Sequence, residues 1–342
     1  TPVGNKMAPS TAAVLIITIL LGAAIISANT TSTIRGHPDN VSSNTKSPRQ
    51  LRVMTLNIRN SNPNNGENNS TNADLYKHAA WVNRRAVIIR TVEEQAPDIL
   101  GLQEVLADQY DYIVEHLGSK YNIQGVGRDD GIREGEFAPV LFRNDRFRLL
   151  DAGNFWLSHT PDIPGSKYEG AGCVRICSWA KLVTIDDVDF LGGDPLSFLF
   201  ANTHLDNVSE DARTFGSQVV SDLTHEIANG EPIILTGDFN LYTEREKGYR
   251  ILTDDTGWTD SFAELHGRSP IVDNNPRRMT YHGFGNPTGP RIDFVFHPKT
   301  HFDTEEAYIL RDTGLPAWVS DHYAVVASLS TTQGEIEGVS LA

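Results

Sequence analysis

The chain has 342 residues, of which 39% are hydrophobic and 21% charged, and a formal charge of −15 at pH 7. That composition supports a sizeable core in one large domain. It argues against capture of long nucleic acids on a basic surface, because Lys and Arg form no run beyond the pairs Arg84-Arg85 and Arg277-Arg278.

The first residues read as an address. Lys6 and Met7 precede an apolar stretch over 12–26 that exits on Ser27 and Ala28. A positive start, an apolar middle and a small-residue exit predict a secretory signal over 1–28. The alternative is an uncleaved anchor, for which the stretch falls short of the ~20 residues a spanning helix needs. Residues 29–50, rich in Ser, Thr and Asn, read as a disordered lead-in. Asn-x-Ser/Thr triplets at Asn29, Asn40, Asn68, Asn69 and Asn207 agree with a secreted, extracellular glycoprotein. Such a chain is expected as a monomer with no stable membrane association once the signal is removed.

From residue 51 to 331 the pattern is that of one mixed α/β domain, followed by a tail over 332–342. Residues 51–58 alternate like a strand. An Asn-rich loop follows, and 81–94 have helical spacing closed by Pro97. Residues 98–102 form a continuous apolar run, the pattern of a buried strand, and 105–117 read as a helix. Further strands are expected at 138–142, 174–185, 197–204, 232–236, 291–297, 307–309 and 322–329. Between them, 209–228 read as a helix with Ser209 as its N-cap and Gly230 just past its end. Cys173 and Cys177 are the two cysteines. Four positions apart in a strand is ~13 Å, beyond the ~7 Å that a disulfide tolerates, so they can pair only if Cys173 sits in a turn. That pairing is left open.

The strands end on polar groups. The first carries Asn57, the second runs into Gln103-Glu104, and 197–204 close on Asn202-Thr-His204. The stretch Ile234-Leu-Thr-Gly-Asp-Phe-Asn240 presents Asp238 and Asn240 two positions apart, on one side of an extended chain. Asp293 lies in the strand at 291–297, and Ser320-Asp321-His322 opens the last one. Each has a bland alternative: Asn57 satisfying backbone, Glu104 capping a helix, His204 as a core histidine, Asp238 in an Asx turn. Six such groups buried singly would each cost a few kcal/mol, which points to one shared cleft.

In this order Leu56-Asn57, Gln103-Glu104, Asn202-Thr-His204-Leu, Gly237-Asp238-Phe-Asn240, Arg291-Ile-Asp293 and Ser320-Asp321-His322 resemble the endonuclease/exonuclease/phosphatase superfamily, the DNase I-like group. Residues Asn202 to Asp206 with Ala212-Arg213 are similar to its deadenylase-like branch. The stretch from Phe155-Trp-Leu-Ser158 to Arg175-Ile-Cys-Ser-Trp179 is similar to secreted and bacterial members. The resemblance implies a four-layer α/β sandwich, with two mixed β-sheets packed face to face and helices outside.

It also implies roles. Glu104, with Asn57 beside it and Asp321 as a further ligand, would hold Mg²⁺, with Mn²⁺ fitting the same oxygens. His322, oriented by Asp293, would act as general base or stabilise the phosphate. Asp238 would orient or deprotonate the attacking water, while Asn240 and His204 would donate to phosphoryl oxygens. Arg175 and Asn202 are candidate substrate contacts, and Tyr168 and Trp179 a candidate wall. The activity so implied is metal-dependent hydrolysis of a small or end-group phosphoester. An exonuclease or endonuclease on RNA or DNA is the alternative, disfavoured by net charge. A non-catalytic binding module of the same fold is a third reading. No Gly-x-Ser-x-Gly or His-Glu-x-x-His suggests a serine or zinc hydrolase.

Overall fold

Alternation along the strands sorts side chains into layers. In the computed structural model, which describes residues 49–62, 79–185, 195–268, 275–285, 287–311 and 318–332, strand β1 (Gln50–Asn57) sends Leu51 and Val53 one way and Met54 and Leu56 the other. It pairs in parallel with β2 (Ile99–Gln103) and antiparallel with β12 (Ala324–Thr331). With β3 (Tyr121–Gln124), β4 (Val140–Arg143) and β11 (Phe302–Leu310) they form a six-stranded sheet in the order β11-β12-β1-β2-β4-β3. A second six-stranded sheet runs β5-β6-β7-β8-β10-β9. Its members are β5 (Phe147–Trp156), β6 (Ile176–Thr184), β7 (Ser197–His204), β8 (Ile233–Asp238), β9 (Trp258–Asp260) and β10 (Asp293–Pro298).

The sheets pack face to face. Leu51, Val53, Ile99 and Val325 from one meet Phe198, Phe200, Ile234 and Val295 from the other in a single buried cluster. Each such side chain contributes ~1.5–3 kcal/mol by leaving water. Outside the first sheet, α1 (Trp81–Gln95) and α2 (Ala107–Leu117) bury Ile88, Val92, Ile113 and Leu117 against Met54, Leu56 and Leu100. Outside the second, α3 (Glu210–Ala228) and α4 (Lys247–Arg250), which runs into a π-helical turn (Ile251–Asp255), cover Leu199, Leu235 and Phe296. The short α5 (Ser261–His266) follows β9. The result is the expected four-layer sandwich.

Several elements differ from the sequence expectation. Strands β3, β5 and β9 and the segments around α4 and α5 were not anticipated, and β11 is far longer than 307–309. Ser209 caps α3 as expected, accepting from the Ala212 N–H. Cys173 and Cys177 are free thiols. Among the described residues no helix is long and apolar enough to cross a membrane. The signal segment, the sequons at Asn29, Asn40, Asn68 and Asn69, and the tail beyond Thr332 lie outside the described residues.

Candidate active site

The inner faces of three central strands change from apolar to polar along their length. On β1 the inward residues run Leu51, Val53, Thr55, Asn57; on β8 they run Ile234, Thr236, Asp238; on β7, Phe198, Phe200, Asn202, His204. The parallel pairs β1–β2 and β7–β8 put these carboxyl ends on one side. Antiparallel β10 brings its first residue, Asp293, opposite Asp238, and His322 just precedes β12. One edge of the sandwich therefore collects the polar groups, as open α/β sheets do at their carboxyl ends.

A belt of hydrogen bonds separates core from site. Gln103 Nε2 donates to Thr55 Oγ1 (2.9 Å) and to Asn202 Oδ1 (2.7 Å), which also accepts from Thr236 Oγ1 (3.1 Å). Asn202 Nδ2 donates to the carbonyls of Leu102 (2.7 Å) and Pro139 (3.1 Å). All four hydrogen-bonding positions of this amide are taken. Asn202, expected to touch substrate, instead ties the two sheets one pleat below the cleft. Gly101 is required beside it, since a Cβ there would collide with Asn202 Oδ1 and Thr236 Oγ1.

Above the belt, Asn57 Nδ2 donates to Asp238 Oδ2 (2.9 Å) and Glu104 Oε1 (3.0 Å). Glu104 Oε2 accepts from the Asn60 N–H and from Asn60 Nδ2, each at 3.2 Å. Burial works against its charge, yet Arg59, Asn57, His322 and Asn60 together hold the Glu104 carboxyl below its ordinary value. Glu104, Arg59 and Asn240 all adopt left-handed backbone (φ 60°, 56° and 49°). That costs ~1–3 kcal/mol at non-glycine positions and clusters at functional sites. Arg59 is locked there by Arg84 and Gln109, both donating to its carbonyl.

His322 Nδ1 lies 2.9 Å from Asp293 Oδ2, and its Nε2 3.8 Å from Asp238 Oδ2. Burial alone would depress the imidazole, but Asp293, Asp238 and Asp321 raise it to about 10. Asp238 is pushed up to about 7 by burial and by Asp293, against His322 and the Asn57 amide. Asp321 is also raised, by burial and by Glu104, although His322 and Arg59 oppose. His204 is held well below the usual histidine range by burial, then by Arg175, Arg128 and His322. The neutral His204 ring meets Asn240 Nδ2 at Nε2 (3.1 Å), which also lies 3.5 Å from Asp238 Oδ2, while its Nδ1 makes no hydrogen bond. Asn240 Nδ2 donates to the Leu205 carbonyl (3.1 Å).

The donor chemistry fits a divalent cation. Glu104, Asp238, Asp293 and Asp321 outnumber Arg59 and His322, the charged cations within ion-pair distance of them. The ligand atoms of Asp238, Asp293 and His322 lie within 4.8 Å of one another, close enough to hold a metal. There, however, His322 already supplies a positive charge. The set expected from sequence, Glu104, Asn57 and Asp321, has weaker compensation: Arg59 stands 3.8 Å from each carboxylate. Asn57 turns its amide nitrogen to Glu104, and its oxygen accepts from the Arg59 N–H (2.9 Å). The carboxylates therefore carry the better claim, Glu104 and Asp321 foremost.

Sequence reading missed a flank of the site. Asn60 Nδ2 also donates to Glu136 (2.9 Å), and Glu136 pairs with Arg128 (2.5 Å). Arg175 is buried beside them and donates to Asn207 Oδ1 (3.1 Å). Tyr168 stacks on Phe215 of α3 (4.3 Å between centroids), and the Trp179 ring lies over Gly153, so neither was found in the cleft.

The chain belongs to the endonuclease/exonuclease/phosphatase family, whose model matches residues 54–322. That family's members hydrolyse phosphoesters and generally depend on divalent metals. Among solved structures, the chain is similar to an endonuclease/exonuclease/phosphatase from Bacteroides vulgatus, 29% identical with a TM-score of 0.68, covering 83% of this chain and 100% of that one. A mannosyl-6-phosphatase from Bacteroides thetaiotaomicron is 28% identical with a TM-score of 0.65, again over 83% and 100%. The human Nocturnin catalytic domain, at 19% identity and a TM-score of 0.61 over 83% and 94%, shares the fold. An uncharacterized protein of Acanthamoeba polyphaga mimivirus is 25% identical over 65% of this chain, which spans 36% of that protein's length.

Proposed function

We propose that the chain is a secreted, magnesium-dependent phosphoester hydrolase acting on a small or end-group phosphoester. The observation that carries this is the meeting of Asp238 with Asn57, which holds Glu104, on one side and with His322, which is held by Asp293, on the other. When bound, a magnesium ion would neutralise charge on the phosphoryl oxygens from the Glu104 and Asp321 side. Asp238, poised near neutrality, takes the proton of the attacking water. His322 stays charged beside Asp293 and stabilises the phosphoryl group instead of acting as base. His204 offers the N–H of its neutral ring, with Asn240 fixing the ring.

The charge of −15 supports a small substrate over a polynucleotide. A phosphorylated sugar, as in the name of the Bacteroides mannosyl-6-phosphatase, is such an end group. The test is hydrolysis of p-nitrophenyl phosphate and bis-p-nitrophenyl phosphate with magnesium, manganese or EDTA, for wild type and His322→Ala. Metal-dependent turnover lost in the variant supports the reading. No turnover of either ester, with no metal bound in titration, overturns it. Secretion is tested separately, by recovery of the chain from culture medium; a chain that stays in the cell with 1–28 attached would refute it.

A further inference from the structure

Buried polar atoms without partners gather on one side of the site. Arg175 is only 6% exposed; its Nη2 meets Asn207, but its Nε and Nη1 find no acceptor. Arg128 grips Glu136, and its Nε, 3.9 Å from the Asp129 carboxylate, makes no hydrogen bond; His204 Nδ1 makes none either. Native proteins ordinarily satisfy such groups, since each stripped of water is costly. These atoms share one neighbourhood. Glu136 is joined through Asn60 to Glu104, and both arginines act on Glu136 and on His204. Guanidinium groups with free N–H pairs are suited to the oxygens of a tetrahedral anion.

We infer that Arg175, backed by Arg128, receives the non-bridging oxygens of a terminal phosphate, so that the site selects phosphomonoesters over phosphodiesters. The inference rests on the phosphoester hydrolase reading. A monoester at neutral pH carries close to two charges and three non-bridging oxygens. A diester carries one charge and places a second organic group where the third oxygen would be. The cation and the charged His322 can attend to two oxygens; the buried Arg175 serves the third. Its charge also favours the dianion in a part of the molecule shielded from water.

The experiment compares wild type, Arg175→Gln and Arg175→Lys on p-nitrophenyl phosphate and bis-p-nitrophenyl phosphate, with melting curves confirming the fold. The expected result is that Arg175→Gln loses roughly 10- to 100-fold in kcat/KM on the monoester and roughly 3-fold or less on the diester. Arg175→Lys should recover part of the difference. Equal losses on both esters, or none, overturn the inference while leaving the hydrolase reading intact, as does a wild type that turns over only the diester. Binding of orthophosphate to the magnesium-loaded proteins decides the matter if neither ester is turned over. Weaker binding in Arg175→Gln then supports the anion subsite independently of turnover. Unchanged binding overturns it.

Discussion

Asn57 donates across the seam between the two sheets to Asp238, with Nδ2 2.9 Å from Oδ2. The bond is possible because both residues face inward at the polar end of their strands, beyond Val53 on β1 and Ile234 on β8. It couples Asp238, the proposed proton acceptor, to Glu104, the proposed cation ligand. Asn57→Leu removes that coupling and leaves two buried carboxylates short of a donor. Its kcat/KM is expected to fall ~100-fold or more, with Asp238 titrating at higher pH, read as a shift of the acid limb of the rate profile toward alkaline pH.

Arg59 stands 3.8 Å from both Glu104 and Asp321, on the side where the cation is expected. Its charge competes with that cation. Isothermal titration with magnesium or manganese should show Glu104→Gln weakening binding at least 10-fold. Arg59→Gln should strengthen it. Weaker binding in Arg59→Gln would mean that this arginine organises the ligands rather than opposing the ion.

Asn202 is satisfied at all four positions by Gln103, Thr236, Leu102 and Pro139. Asn202→Ala is expected to lower stability by ~2–4 kcal/mol, because several buried partners lose their bonds at once. KM should move little in the folded fraction. A raised KM with unchanged urea midpoint would restore the substrate contact that the sequence suggested. Gly101→Ala tests the same seam from the other sheet and should destabilise by ~1–3 kcal/mol through overpacking.

Glu264 of α5 gives a pH signature far from the site. The His297 ring 3.6 Å away, then Lys299, which pairs with it, and Thr304 lower its carboxyl to about 2, against partial burial. A depressed folded value means that the stabilisation is complete above the unfolded value, near 4.5. It is lost as pH falls through about 2. Urea midpoints should therefore separate wild type from Glu264→Gln at pH 6, and the gap should close as the pH is lowered toward 2.

The layering of this fold was legible because β1 alternates, β7 and β8 open as continuous apolar runs, and all three end on polar residues. Strand β5 was not. As an edge strand pairing with β6 alone, it leaves Arg148 through Asp151 exposed on both faces, so Phe147-Arg-Leu-Leu-Asp151 has no period of two to read. Strand β9 has three residues, too few for any period. The site was legible through Gly-Asp-Phe-Asn and Ser-Asp-His, but not by extended spacing: Asn240 lies past the end of β8 in left-handed backbone, and its N–H bonds Asp238 Oδ1 (3.1 Å) in the Asx turn that was the alternative. Asn60, Arg128 and Glu136 were not legible, since they sit in loops and meet only when those loops fold over the edge of the first sheet. Asn202 misled because it shares a face with His204. Depth within the seam, which decides between cleft and tie, depends on the opposite sheet and is not written in β7.

Asn207 is the one Asn-x-Ser/Thr position inside the described residues, and it is exposed at the point where its amide oxygen holds Arg175. An oligosaccharide attaches through the amide nitrogen, which leaves that oxygen free to keep its bond. In a chain processed along a secretory route, a sugar tree at Asn207 would stand beside the arginine as a fixed hedge. Short or chain-terminal substrates would pass it, and polymers lying across the opening would be turned away by bulk, whatever their charge.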